Sequence, residues 1–92
     1  MQRQRLRILY SGHVQGVGFR YTVRGVAQGF EVVGLVRNLT DGRVELIAEG
    51  DPGELEAFRQ AIRESGLEPH IRHEEVHREP ARGGLSGFVI GR

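Results

Sequence analysis

The sequence predicts an α+β fold of the ferredoxin-like, split βαβ kind. Its order is βαββαβ plus a short C-terminal strand, with two helices on one face of a mostly antiparallel sheet. Three observations predict it. Segments in which apolar and polar residues alternate are interleaved with two segments whose apolar residues recur every three or four positions. A helical segment joins the first two strands, whereas a tight turn joins the second to the third. A chain of 92 residues also has room for one domain only, spanning 1–92, since domains cluster near ~100–150 residues.

Each element follows from its residues. In Arg5–Tyr10, Leu6, Ile8 and Tyr10 point one way and Arg5 and Arg7 the other, a half-buried strand. Ser11–Gly18 carries three glycines and is a loop. From Phe19 the apolar positions Phe19, Val23, Val26, Ala27 and Phe30 make one helical face, with Gly29 as the expected end. Glu31–Arg37 and Arg43–Glu49 are strands joined through the Asp41-Gly42 turn. Asp51 as N-cap, Pro52 at the first helical position and Glu54 closing a capping box open a second helix. Leu55, Phe58 and Ile62 line its inner face, and Gly66 stops it. His70–Glu79 is a weaker strand: Ile71 and Val76 differ in parity, which fits either a bulge or a segment that is not a strand. Pro80–Gly87 is a loop and Phe88–Ile90 a last short strand.

Composition narrows the chemistry. There is no cysteine, so no disulfide, thiolate metal site or thiol nucleophile is available. No apolar run approaches the ~20 residues of a membrane helix, and no apolar signal segment follows the basic start. A cytoplasmic protein without a membrane partner is expected. The net charge of +1 gives no global field for nucleic acid. All 13 basic residues are arginine, a pattern that codon usage explains more readily than oxyanion binding.

The informative segment is Gly12-His13-Val14-Gln15-Gly16-Val17-Gly18-Phe19-Arg20, between a strand and a helix N-terminus. Unpaired N–H groups of a first helical turn point outward there, and the helix dipole places about half a positive charge at that end. Glycines let the preceding backbone curl so that successive N–H groups converge. A cation such as Arg20 opposes the dipole unless an anion sits between them, which makes the segment a recipe for a phosphate-sized dianion. The same spacing also serves a tight glycine-rich connection with a solvated arginine. Two better-known glycine motifs fail: a P-loop counted from Gly12 meets Val17 and Gly18, and a dinucleotide fingerprint from Gly16 meets Tyr21. A second element, Arg37-Asn38, ends the second strand. A helical crossover makes the first two strands parallel, so the glycine loop and Asn38 leave from one sheet edge. With the third strand between them they stand roughly 10 Å apart, a gap for a phosphoryl group and a water. Asn38 as an ordinary turn cap is the plainer reading of that residue alone.

Gly12 to Arg20, followed by Gly34-Leu35-Val36-Arg37-Asn38-Leu39-Thr40-Asp41-Gly42-Arg43-Val44-Glu45, resembles the two signatures of the acylphosphatase family. The resemblance extends over the chain in length and element order. It implies an enzyme that hydrolyses carboxyl–phosphate mixed anhydrides to a carboxylate and inorganic phosphate. It implies that Arg20 binds the phosphoryl oxygens together with the backbone N–H groups of Gln15, Gly16, Val17, Gly18 and Phe19, and that Asn38 positions the attacking water. No metal and no organic cofactor are implied, and the expected partners are a small acyl phosphate and phosphate, bound by a monomer. His13, Leu35 and the absence of a terminal tyrosine depart from the family's common pattern without touching Arg20 or Asn38.

Other readings carry less. His70, His73 and His77 are scattered in an uncertain strand and read as surface histidines rather than a metal site. Asp51 and Glu54 read as capping rather than a catalytic carboxylate pair. Asn38-Leu39-Thr40 fits a glycosylation sequon, irrelevant without secretion. Arg24, Arg59 and Arg63 read as solvated. An RNA-recognition module shares the fold, but Gln15–Thr22 matches its signature only at Gly16, Gly18 and Phe19. A module handling carbamoyl phosphate at the start of a hydrogenase-maturation enzyme is the nearer alternative. Because the chain carries its own final strand, a stand-alone enzyme is expected.

Overall fold

Alternation along the first strand decides which sheet face the helices cover. In the computed structural model, which describes residues 2–91, Leu6, Ile8 and Tyr10 of β1 (Gln4–Gly12) are fully buried while Arg5 and Arg7 lie on the opposite face. Two helices, α1 (Phe19–Ala27) and α2 (Pro52–Ile62), pack on the apolar side. The remaining strands are β2 (Val33–Asn38), β3 (Val44–Gly50), β4 (Ile71–Pro80) and β5 (Phe88–Ile90). The sheet order is β4-β1-β3-β2-β5. β1 is antiparallel to β3 and β4, and β2 is antiparallel to β3. The expected split βαβ arrangement is present. One pair, β2 with β5, is parallel, with Leu35 opposite Val89.

The core is the contact between one face of each strand and one stripe of each helix. Phe19, Val23 and Ala27 from α1 and Leu55, Phe58 and Ile62 from α2 meet Val36, Val44, Leu46 and Ala48 of the sheet. Such burial contributes on the order of 1.5–3 kcal/mol per large apolar side chain. Phe58 packs edge-on against Phe88, ring centroids 5.5 Å apart, which ties the last short strand to α2.

Several local readings are corrected. Glu54 does not close a capping box. Asp51 stands at the N-cap without a side-chain hydrogen bond, and the Glu54 carboxylate instead accepts the Glu31 N–H at 2.7 Å. That donor precedes β2, 23 residues away, and no local pattern announces it. α1 ends at Ala27 rather than at Gly29, its last carbonyls taken by Gln28, Gly29 and Phe30 N–H groups three residues on. α2 ends at Ile62 and runs on through a wide turn, Arg63–Leu67, that Gly66 closes with φ 95°. The parity conflict in β4 is a bulge: Ser11 pairs with His73 and Gly12 with Ile71, so Arg72 is the extra residue. It brings Ile71, Glu74 and Val76 to one face. Arg59 and Arg63 are not simply solvated, since both reach the Glu74 carboxylate, Arg59 at 3.1 Å.

The face away from the helices is ionic. Glu45 and Glu49 on β3 are buried, 3% and 2% exposed. Glu49 accepts Arg5 Nε at 2.6 Å and the backbone N–H groups of Arg82 and Gly83. Glu45 accepts Arg7 Nε and Arg37 Nε, each at 2.7 Å. Burial pushes both carboxyls up, but the donors around them outweigh it and hold both below the usual glutamate value.

Candidate active site

Strand alternation separates the two residues that end β2. Arg37 shares its face with the ionic layer and is held there by Glu45. Asn38, one residue on, shares the parity of buried Val36 and faces the helix side of the sheet edge. β3 lies between β1 and β2, as the crossover argument requires. The segment after β1 and the end of β2 therefore open onto the same edge, about two strand spacings or roughly 10 Å apart.

The segment from Gly12 to Phe19 is pinned at both ends and free between. At Gly12, φ is 129° and a Cβ would lie 2.5 Å from the His70 carbonyl oxygen, so the chain leaves β1 in close contact with the start of β4. His13 N–H then donates to that same carbonyl at 3.0 Å. Val14 and Phe19 are 1% and 2% exposed, and the Phe19 ring packs 4.9 Å from that of Tyr10. Between these anchors Gly16 and Gly18 take φ 80° and 77°, left-handed values that other residues adopt only with strain. Gly18 is the N-cap of α1, and no acidic residue occupies the helix's first turn. Among the described residues, the backbone N–H groups of 15–19 donate to no backbone carbonyl. Unused donors on a curled segment at a helix N-terminus form a cradle for an anion.

Arg20 follows directly. Eight other arginines (Arg5, Arg7, Arg37, Arg43, Arg59, Arg63, Arg78 and Arg82) are held by carboxylates. Arg20 pairs with none among the described residues. It lines a depression of about 190 Å³ with Gly16, Gly18, Phe19, Tyr21 and Asn38. The Oδ1 atom of Asn38 is fully buried there and, among the described residues, has no hydrogen-bond partner. Larger concavities lie elsewhere, one of them on the ionic face around Arg5, Arg7 and Arg82. The arginines of that one are engaged by Glu49, Glu45 and Glu79, which leaves less donor capacity for a ligand than the smaller depression offers.

The structure thus brings Arg20, Asn38 and the loop of Gln15, Gly16, Val17, Gly18 and Phe19 to one place. One functional feature was not legible in the sequence, the side chain of Gln15. Its Nε2 donates to the carbonyls of Leu39 at 2.8 Å and Arg43 at 3.0 Å. Those carbonyls bracket the β2–β3 turn, which closes on itself through Leu39 N–H to Arg43 and Gly42 N–H to Leu39. Gln15 thereby clasps the loop to the turn that follows Asn38. The three histidines do not converge on a metal: among the described residues no group of three or more His, Asp or Glu could hold one, and His77 contacts Glu75 instead. No helix of the described residues is long and apolar enough to cross a membrane.

Comparisons with known proteins bear on the family and the fold. The family model described as Acylphosphatase matches residues 6–90. An acylphosphatase of Rubrobacter xylanophilus is 45% identical over 91 residues, covering 97% of this chain and 81% of its own. One from Pseudomonas aeruginosa is 38% identical over the full length of both chains. The crystal structure of acylphosphatase from Bacillus subtilis superposes with a TM-score of 0.87 at 35% identity, covering 97% of this chain and 99% of that one. Full-length HypF, in a phosphate- and nucleotide-bound form, matches with a TM-score of 0.81 at 29% identity, but this chain spans only 12% of it.

Proposed function

The chain belongs to the acylphosphatase family, and from that premise we propose how its own residues hydrolyse the carboxyl–phosphate bond. The N–H groups of residues 15–19 and the Arg20 guanidinium bind the three phosphoryl oxygens. Guanidinium presents a planar fork that matches two of them, and the helix dipole adds to the attraction. Asn38 Oδ1 accepts an O–H of the attacking water and turns a lone pair toward phosphorus. The P–O bond to the acyl group breaks and its electron pair leaves on the carboxylate. The conjugate acid of that leaving group has a pKa of ~4–5, so no general acid is needed. Among the described residues no carboxylate or imidazole lines the depression, and the proton lost by the water passes to a phosphoryl oxygen. The products are a carboxylate and dihydrogen phosphate, which balances atoms and charge. Catalysis is then positioning plus charge stabilisation, the two things phosphoryl transfer chiefly requires.

The observation that carries this reading is the buried, unpartnered Asn38 Oδ1 in the same depression as Arg20 and the glycine loop. An unmet buried acceptor costs about 1–3 kcal/mol, and a water donating to it removes that cost. Acting on small acyl phosphates, the whole of residues 1–92 works as one unit. A cytoplasmic, monomeric enzyme without metal, nucleic-acid or membrane partners is the form proposed. The test is a turnover panel of acetyl, benzoyl and carbamoyl phosphate beside an alkyl phosphate ester, with and without EDTA. Hydrolysis of the acyl phosphates is expected, indifferent to chelator, with the alkyl ester almost untouched because alkoxide leaves poorly. Ester cleavage at the acetyl phosphate rate, or loss of activity in EDTA, contradicts the mechanism.

Gln15 supports a further expectation. Gln15→Leu keeps the backbone N–H and removes both bonds to the β2–β3 turn. Turnover is expected to fall about 10-fold or more through misplacement of the water, with phosphate inhibition changed less than about threefold. Equal losses in turnover and phosphate affinity would show instead that the loop itself had collapsed.

A further inference from the structure

Tyr21 is the third residue of α1 and is 70% exposed, one of two large hydrophobic residues left in solvent among the described residues. The other, Val89, lies on β5, outside the depression. Tyr21 forms part of the wall of the depression that holds Arg20 and Asn38. Its ring is also held in place, since the Arg24 guanidinium stacks at 5.0 Å from the ring centroid. A cation on one face fixes the ring and leaves its other face free. An aromatic side chain has few rotatable bonds, so a ring already held loses little entropy when a second planar group packs on it.

The reaction geometry gives that ring something to touch. When water attacks in line, the acyl oxygen lies opposite it, so the acyl group projects away from Asn38 and out of the cradle. Of the apolar side chains that line the depression, Val14 and Phe19 are turned into the core. Among the described lining residues, Tyr21 is therefore the one exposed large apolar surface offered to the acyl group at the rim. We propose that Tyr21 is a specificity-determining residue that gives this enzyme a preference for acyl phosphates with a planar, aromatic or conjugated acyl group over acetyl phosphate. The assignment rests on the acyl phosphate reading of the site. The phenol hydroxyl plays no part, because the contact is made by the ring face.

The test uses the full chain with Tyr21→Ala and Tyr21→Phe, exposed helix positions that tolerate both residues. Two quantities are read: kcat/KM for benzoyl phosphate relative to acetyl phosphate, and Kd for benzoylphosphonate relative to acetylphosphonate by calorimetry. In Tyr21→Ala both ratios are expected to shift about three- to tenfold against the aromatic compound. Tyr21→Phe retains the wild-type ratios. Unchanged ratios in Tyr21→Ala overturn the assignment, as does an equal loss for both acyl groups, which would place the ring's effect on the phosphoryl cradle. A wild-type protein that hydrolyses neither acyl phosphate rejects the reaction instead, while the phosphonate ratio still decides whether the ring selects its ligand.

Discussion

Arg20→Gln is expected to reduce kcat/KM for acetyl phosphate by about 10³-fold or more, equivalent to about 4 kcal/mol of transition-state stabilisation. Glutamine keeps much of the reach and one pair of N–H donors but carries no charge. The loss falls on a site where little else compensates. The loop contributes partial charges only, and the arginines of the β2–β3 hairpin, Arg37 and Arg43, are held by Glu45 and Asp41, while Arg24 stacks on Tyr21. Because phosphate is held by the same guanidinium, its inhibition constant is expected to rise in the same variant. Arg20→Lys retains the charge without the planar fork and is expected to fall between the two. Measured side by side, turnover and phosphate inhibition identify the role. A variant that loses turnover yet binds phosphate as tightly as the wild type would remove Arg20 from the cradle. The fold is not expected to suffer, since Arg20 makes no ion pair among the described residues.

Asn38→Ala is expected to separate chemistry from binding. Turnover should fall by about 10²- to 10³-fold, the range associated with losing the group that orients a reactant or stabilises its charge. Phosphate inhibition should stay within about threefold, because the carboxamide aims a water and does not hold the anion. Such a pattern, kcat lost with ligand affinity kept, marks an interaction expressed chiefly in the transition state. Removing Asn38 also removes the buried, unpartnered Oδ1, so thermal stability is expected to hold or rise slightly, as it does when a site strained for function is relieved. Loss of phosphate binding in this variant would reassign Asn38 from the water to the anion.

Most of the site was legible because its logic is local. A glycine-rich exit from a strand, an arginine at the start of the following helix, and an asparagine at the end of a parallel strand can each be read within a few residues. The crossover rule then places them on one edge. Parity did the same for the sheet: Leu6, Ile8 and Tyr10 announced the buried face, and the mismatch between Ile71 and Val76 left open the bulge that the structure places at Arg72. What escaped depends on partners far away in sequence. The Gln15 side chain meets carbonyls 24 and 28 residues on, and main-chain carbonyls carry no sequence signature. Glu54 fitted a capping box, yet its carboxylate was captured by a donor near β2, which a local motif cannot anticipate. Arg59 and Arg63 looked solvated because their partner, Glu74, stands on β4, a separate element, where it shares the helix-side face with Val76.

The most direct test of the central claim is a crystal structure of the protein soaked with vanadate or sulfate. The tetrahedral or trigonal oxyanion is expected within hydrogen-bond distance of the N–H groups of residues 15–19, with both Arg20 terminal nitrogens on its oxygens and an ordered water bridging it to Asn38 Oδ1. An empty cradle with the Arg20 guanidinium turned to bulk solvent, while the oxyanion binds elsewhere on the same molecule, would contradict the account.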